Sequence, residues 1–320
     1  MRHVLLAALI GLAPAEALVH DQVRPVRELI TSLSADDATA RAKAACDLKE
    51  HGDNAADAMD ALVRLLADAT PVDMAVCRER WADDAERQTT PGHLAAAALV
   101  AVGSRSVPSL LAVLKQPQWV ARRNATWALG ALDDERGVAP VMAVLQDREA
   151  PVRQQAAWAL GAMDAEAAVP ALVRVLNDPD EGVRRQAAWA LGAIGARSAV
   201  AGLTQALKDS SERVRHQAAW ALGAIGDRNA VPGLVEGLRD NDKGVREQSA
   251  WALGAIGDRG AVPALIDTLK DADKGVRQQA AWALGAIGDS RATPGLVGAL
   301  KDAEAGVRRQ AAWALGAIGK

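Results

Sequence analysis

Seven tryptophans spaced 31 residues apart are the most chemically suggestive feature of this 320-residue chain. They are Trp127, Trp158, Trp189, Trp220, Trp251, Trp282 and Trp313. Six of them follow a glutamine by three residues, namely Gln155, Gln186, Gln217, Gln248, Gln279 and Gln310. Indoles dominate binding hot spots, and an amide both donates and accepts hydrogen bonds. The pairing therefore predicts a surface that recognises a peptide, a protein helix or a glycan.

The residue four positions before each tryptophan varies along the chain. In order it is Arg123, Gln154, Arg185, His216, Glu247, Gln278 and Arg309. Because the Trp–Gln background is constant, this variation is what would select a partner. We predict that the tryptophans and glutamines, together with Arg123, Arg185, His216 and Arg309, contact a protein or peptide.

Two further rows, one of arginines and one of aspartates, have a spacing that favours a structural role over a role in binding. Arginine lies five residues before every repeated tryptophan, as Arg122, Arg153, Arg184, Arg215, Arg246, Arg277 and Arg308. Aspartate lies eleven residues before six of them, as Asp147, Asp178, Asp209, Asp240, Asp271 and Asp302, and Gln116 is the exception. Guanidinium and carboxylate groups pair in two parallel hydrogen bonds, so we predict a ladder that links neighbouring repeats.

The sequence shows no catalytic or metal-binding pattern. The chain has five histidines, none followed by glutamate, and it has no G-x-S-x-G or phosphate-binding loop. We therefore expect no enzyme activity, no metal and no cofactor. The net charge of −3 does not suggest a nucleic-acid partner, which normally needs a strongly basic surface.

Two helices per repeat would position these rows. In the unit Asp258–Gly288, apolar spacing predicts a first helix over Ala261–Leu269 and a second over Val276–Ile287, with Gly288 as a left-handed cap. On a helical wheel Trp282 points away from the core face of the second helix.

Two interpretations of the tryptophan row stay open, and they are compatible. The indoles either form a row of binding anchors or lie flat across the groove and shield the small residues between second helices. Ala281 and Gly285 are such residues in the type unit, where they allow close approach of the next helix.

The unit, D-x-R-A-V-P-x-L-x-x-x-L-K-D-x-D-x-x-V-R-x-Q-A-A-W-A-L-G-x-I-G, resembles the HEAT repeats of the phycobilisome-lyase-like class. The resemblance implies an all-α right-handed superhelix of about nine helix pairs, with second helices lining the concave face. Seven units cover 104–320. Two degenerate units precede them over 22–103, with an insertion near 68–91. A relative, deoxyhypusine hydroxylase, builds a di-iron site from His–Glu pairs, which this chain lacks.

The N-terminus resembles an export signal. Residues 1–17 combine a basic start, a nine-residue apolar run and small-residue cleavage patterns, although an apolar capping helix is the alternative. If the chain is exported, Cys46 and Cys77 could pair as one disulfide, and the alternative is two buried free thiols in a cytosolic protein. We expect no other segment of the chain to be apolar enough to cross a membrane. No polar capping helix follows the last repeat, which predicts an exposed apolar end. Such an end would either promote end-to-end self-association or mean that the sequence is part of a longer chain.

Together these patterns predict an exported, non-catalytic scaffold that binds a protein or peptide on a concave Trp/Gln-lined face. The alternatives are a cofactor-handling protein like bilin lyase subunits, or a relative of deoxyhypusine hydroxylase that lacks the metal site.

Overall fold

The structure is a computed structural model, and it describes residues 24–77 and 88–319. The predicted export signal lies outside the described residues. Nine pairs of antiparallel α-helices follow one another along the chain in the described part. The first helices of the pairs are α1 (Val26–Ser32), α3 (Met59–Leu65), α5 (Val107–Val113), α7 (Val138–Val144), α9 (Val169–Val175), α11 (Val200–Ala206), α13 (Val231–Gly237), α15 (Val262–Thr268) and α17 (Thr293–Ala299). The second helices are α2 (Ala38–His51), α4 (Pro91–Val102), α6 (Trp119–Leu132), α8 (Ala150–Ala162), α10 (Glu181–Ala193), α12 (Glu212–Ile225), α14 (Lys243–Ile256), α16 (Lys274–Ile287) and α18 (Ala305–Ile318). The chain is therefore an all-α superhelical repeat array.

First helices are shorter than the periodicity predicts, because each one from α3 onward is preceded by a 3-10 turn. In the type unit the turn spans Arg259–Ala261, and the backbone N–H of Ala261 donates to the carbonyl of Asp258 at 3.1 Å. The Asp258 carboxylate accepts from the N–H of Gly260 at 2.7 Å. This cap tightens the first turn, so the α-helix starts only at Val262 and not at Ala261.

Second helices begin earlier than predicted, at Lys274 in the type unit. The reason is a cap: the Asp273 carboxylate accepts from the backbone N–H groups of Gly275 and Val276. Gly275, which precedes the predicted start at Val276, therefore lies inside the helix. At the other end Gly288 has φ +70°, the predicted left-handed cap.

A continuous apolar core runs between the two layers of helices. In the type unit Val276, Ala280, Ala283 and Leu284 of α16 are fully buried, opposite Leu265 of α15. In the last pair Val297, Leu300 and Trp313 are exposed at 48%, 38% and 49%.

The insertion forms a two-stranded antiparallel ribbon of β1 (Val72–Asp73) and β2 (Gln88–Thr89). The sulfur atoms of Cys46 on α2 and Cys77 beyond β1 are bonded, with their Cα atoms 5.7 Å apart. The bond ties the insertion to the first repeat.

The stretch Pro91–Val113 is long and apolar enough to cross a membrane by length and composition, so the expectation that no such segment exists is wrong. In the fold this stretch is α4 and α5, separated by Gly103 at φ +82°. Eight of the twelve residues of α4 are buried, so its apolar composition serves the core.

Candidate functional site

The second helices form the inner surface of the array. Each second helix packs directly on the next one, whereas first helices of neighbouring repeats make far fewer backbone contacts. An array whose units approach more closely on one side curves toward that side. We call the surface of α4 to α18 that faces into this curve the inner groove.

Each tryptophan from Trp158 onward packs on a glycine of the preceding second helix. A Cβ atom built on that glycine would lie only 2.6 to 3.1 Å from the indole Cζ3 atom. The pairs are Gly130–Trp158, Gly161–Trp189, Gly192–Trp220, Gly223–Trp251, Gly254–Trp282 and Gly285–Trp313. The indoles are half-buried except Trp313, so they close the seams between repeats and still present surface to the groove.

The six glutamines of the repeat are half-buried beside the indoles. Within the described residues none of their side-chain amides has a hydrogen-bond partner. The buried polar side-chain atoms without a partner in this part of the chain are those of Thr89 and Ser249, so the glutamine amides remain open to solvent. Six of the repeats therefore offer an amide donor and acceptor, not bonded within the described residues, next to an indole.

The variable side chains reach toward the next second helix. A Cβ atom on Gly275 would lie 3.0 Å from Glu247 Oε2, and one on Gly306 would lie 2.7 Å from Gln278 Oε1. Most of this row is exposed, including Arg185, His216 and Arg309, but Arg123 and Gln154 are half-buried. The variable side chains of α6 and α8 are thus more buried than those in the rest of the groove.

The arginine and aspartate rows form bidentate pairs between neighbouring repeats. Arg153 Nε and Nη2 donate to the two carboxylate oxygens of Asp178, both at 2.7 Å, while Nη1 donates to the carbonyl of Asp147 at 2.9 Å. The same arrangement joins Arg122–Asp147, Arg184–Asp209, Arg215–Asp240, Arg246–Asp271 and Arg277–Asp302. These side chains serve the fold and lie outside the groove lining.

The ladder aspartates have pKa values below the ordinary 3.8. For Asp178, burial pushes the pKa upward, but the hydrogen bonds from Arg153 and from the Asp180 backbone N–H outweigh it. The carboxylate is therefore held in its charged form.

Arg308 does not join the ladder. Its Nη1 donates to the carbonyls of Asp302 and Ala303, both at 2.7 Å, and no carboxylate in the described part pairs with it. A further rung that the sequence analysis missed joins Arg41 to Asp68 at 2.8 Å. Arg41 lies five residues before Cys46, which replaces the tryptophan, so the repeat spacing could have revealed it.

The ladder is interrupted at α4. Counting back from the helix end at Gly103, Gly92 occupies the arginine position there, and Gln116 stands where its aspartate partner would be. Gln116 is the exception in the aspartate row because this rung lacks both its arginine and its aspartate. In their place the N–H of Gly92 donates to the carbonyl of Asp68 at 3.0 Å.

An aromatic and basic cluster fills this junction. The Arg123 guanidinium lies 5.5 Å from the centroid of the Trp119 ring, and the His93 and Trp127 rings are 4.8 Å apart. Asn124, which is buried, donates to the carbonyl of Leu66 at 2.9 Å, and its Oδ1 accepts from Arg123 Nε and Nη2 at 3.4 and 3.2 Å. His93 and Trp119 were not among the predicted site residues, although His93 occupies the variable position of α4.

The cluster borders an open cavity of about 550 Å³ in the inner groove. Its walls are His93, Arg123, Asn124, Trp127, Pro151, Gln154, Gln155, Trp158 and Gln186. Burial, and then the charge of Arg123, lower the pKa of His93, so this imidazole is neutral at neutral pH. No set of three His, Cys, Asp or Glu side chains that could hold a metal was found among the described residues.

A family model of HEAT repeats matches residues 107–187, 138–211, 170–253, 200–272 and 231–316, which together span most of the array. The chain belongs to the HEAT-repeat family. The comparison with curated proteins gives no match.

Solved structures share this HEAT-repeat fold. An engineered protein is 23% identical with a TM-score of 0.52, covering 92% of this chain and 89% of its own. The YibA protein of Escherichia coli is 21% identical with a TM-score of 0.60, covering 85% and 96%. Kap95p, solved with RanGDP, is 16% identical with a TM-score of 0.59, and the match covers 91% of this chain but 45% of Kap95p. At these identities the likeness concerns the fold alone.

Proposed function

We propose that this HEAT-repeat protein is an exported, non-catalytic scaffold that binds a protein or peptide along its inner groove. The observation that carries the proposal is the row of half-buried glutamine amides without partners beside half-buried indoles. Because these amides recur at one position in six repeats, they offer a bound segment the same hydrogen-bonding group at regular intervals. Within the family, the Trp–Gln unit favours the phycobilisome-lyase-like class.

The spacing of the row suits an extended chain. Packed helices lie about 8–10 Å apart, and an extended peptide advances about 3.3 Å per residue. One repeat would therefore serve about three residues of a bound segment. The amides would bond its backbone, and the indoles would cover its apolar side chains.

Export is part of the proposal and rests on two features. The N-terminal residues resemble a signal for secretion, and the bonded Cys46–Cys77 pair fits an oxidising compartment.

A peptide selection tests the groove. Random twelve-residue peptides displayed on phage are selected against the wild type, and the binders are titrated against a variant carrying Gln186→Ala, Gln217→Ala, Gln248→Ala and Gln279→Ala. Because each lost neutral hydrogen bond weakens binding modestly, the four together should weaken it about tenfold or more. Binding should also protect the indoles from acrylamide quenching.

The matched control alters exposed polar residues of first helices, with Arg174→Ala, Gln205→Ala and Asp267→Ala. This variant should bind like the wild type. Equal binding by the glutamine variant, or a selection that yields no binder, contradicts the proposed groove.

A further inference from the structure

The cavity between α4, α6 and α8 differs from the rest of the inner groove in its charge. Its walls carry one cationic side chain, Arg123, and none of the residues that line it is acidic. Farther along, the groove mixes exposed charges of both signs, such as Arg185 and Glu247. The cavity end of the inner groove therefore has a positive electrostatic potential.

The Arg123 side chain is held in place by its neighbours. Asn124 is fixed by its bond to the Leu66 carbonyl and accepts from Nε and Nη2 of Arg123. The Trp119 ring lies against the guanidinium. No ion pair and no bond from Nη1 is made by Arg123 among the described residues, although the side chain is half-buried. A partly buried cation without a counter-ion gains from an added carboxylate, because such pairs strengthen as water is excluded.

We propose that this cavity binds an acidic side chain, aspartate or glutamate, in the segment that occupies the groove. The carboxylate accepts from Arg123, and the amides of Gln154 and Gln155 complete its hydrogen bonds. The indoles of Trp127 and Trp158 cover the aliphatic part of the side chain. This inference rests on the proposed function, since it fixes where along the groove a bound peptide places its acid.

An internal side chain, not a chain end, fits the shape of the site. The cavity is open and continues to Gln186 on α10, so the segment passes through it.

Two degenerate peptide pools test the proposal, identical except that one has Glu and the other Gln fixed at its central position. Both have amidated C-termini. The wild type should bind the Glu pool about tenfold more tightly, the usual scale for a bond to a charged group. Arg123→Gln should abolish this preference, so that the two pools bind the variant equally. Arg185→Gln, at the same repeat position but exposed, should keep the preference.

The outcomes separate this inference from the proposed function. If both pools bind equally and the glutamine variant loses both, the groove stands and the acid site is wrong. If neither pool binds, both proposals fail. If a third pool with Gln at its centre and a free C-terminus is preferred through Arg123, the site takes a chain end and the proposal is overturned.

Discussion

The indole of Trp282 lies against the backbone of Gly254 so closely that a Cβ atom on this glycine would come within 2.7 Å of Cζ3. The same atom would be 2.8 Å from the Cα of Ala283. Each of the six seams from α6 to α18 therefore pairs a glycine, which has no side chain, with a tryptophan, which has the largest.

Replacing Gly254 by alanine should destabilise the array. Alanine favours a helix by up to about 1 kcal/mol, but overpacking a tight contact costs about 1–3 kcal/mol. We expect a net loss, measured by urea unfolding. Gly316→Ala is the matched control, because Gly316 has the same place in α18 with no atom within 4 Å of its Cβ. It should be neutral or stabilising, and an equal loss in both variants would show that the seam is not the cause.

The ladder predicts that arginines with and without an aspartate partner contribute differently to stability. Arg215→Ala removes a bidentate pair with Asp240, and we expect a loss of about 1.5–3 kcal/mol in the free energy of unfolding. Arg308→Ala removes the bonds to backbone carbonyls but no ion pair, so its loss should be clearly smaller. Chemical denaturation of the two variants side by side measures the difference. Equal losses would mean that the carboxylate contact adds little.

Acid should weaken the ladder. Burial raises the pKa of Asp240, but the Arg215 hydrogen bonds and the Asp242 backbone N–H outweigh it, so the folded pKa lies below 3.8. The stabilisation is therefore complete above the unfolded pKa and is lost as the pH falls through the folded pKa. We expect the free energy of unfolding to be level near pH 6 and to decrease below pH about 4. Arg215→Ala should show a smaller decrease, and an unchanged pH profile would contradict this account.

Substitutions of Ser249 and Gly237 should have coupled effects on the free energy of unfolding. Ser249 replaces the alanine of other repeats, and its buried hydroxyl has no partner, while a Cβ atom on Gly237 would collide with that hydroxyl. Ser249→Ala should stabilise by about 1 kcal/mol, since the unpaired polar atom is removed. Gly237→Ala should destabilise the wild type but be tolerated in the Ser249→Ala background. A double-mutant cycle measures the coupling, and additive effects would refute it.

The 31-residue period was sufficient to predict the repeat fold, because the same apolar spacing recurs seven times. The ladder partners also followed from spacing, apart from Arg308, whose aspartate would belong to a further repeat. The exposure of the tryptophans could not be predicted, since it depends on how closely Gly254 and its equivalents let two helices approach. Helix starts were misplaced because Asp258 and Asp273 cap the backbone in ways that an apolar pattern does not reveal. The junction cavity joins His93 and Gln186, which are far apart in the sequence and meet only in the folded array.

Because the ladder lacks a rung at Gly92 and Gln116, the repeats on either side of this interface are less strongly coupled in unfolding than the later repeats are. In a one-dimensional array, stability is a sum of repeat terms and neighbour terms, so unfolding divides where a neighbour term is weakest. The α4–α6 interface has no ion pair of the ladder type and fewer backbone contacts than the later interfaces. The first two repeats would then open as a separate unit, observable as faster amide exchange in α2 and α4 than in α10 to α16. Because the acid-binding cavity spans this same interface, a peptide seated there would join the two units and raise the cost of opening the first.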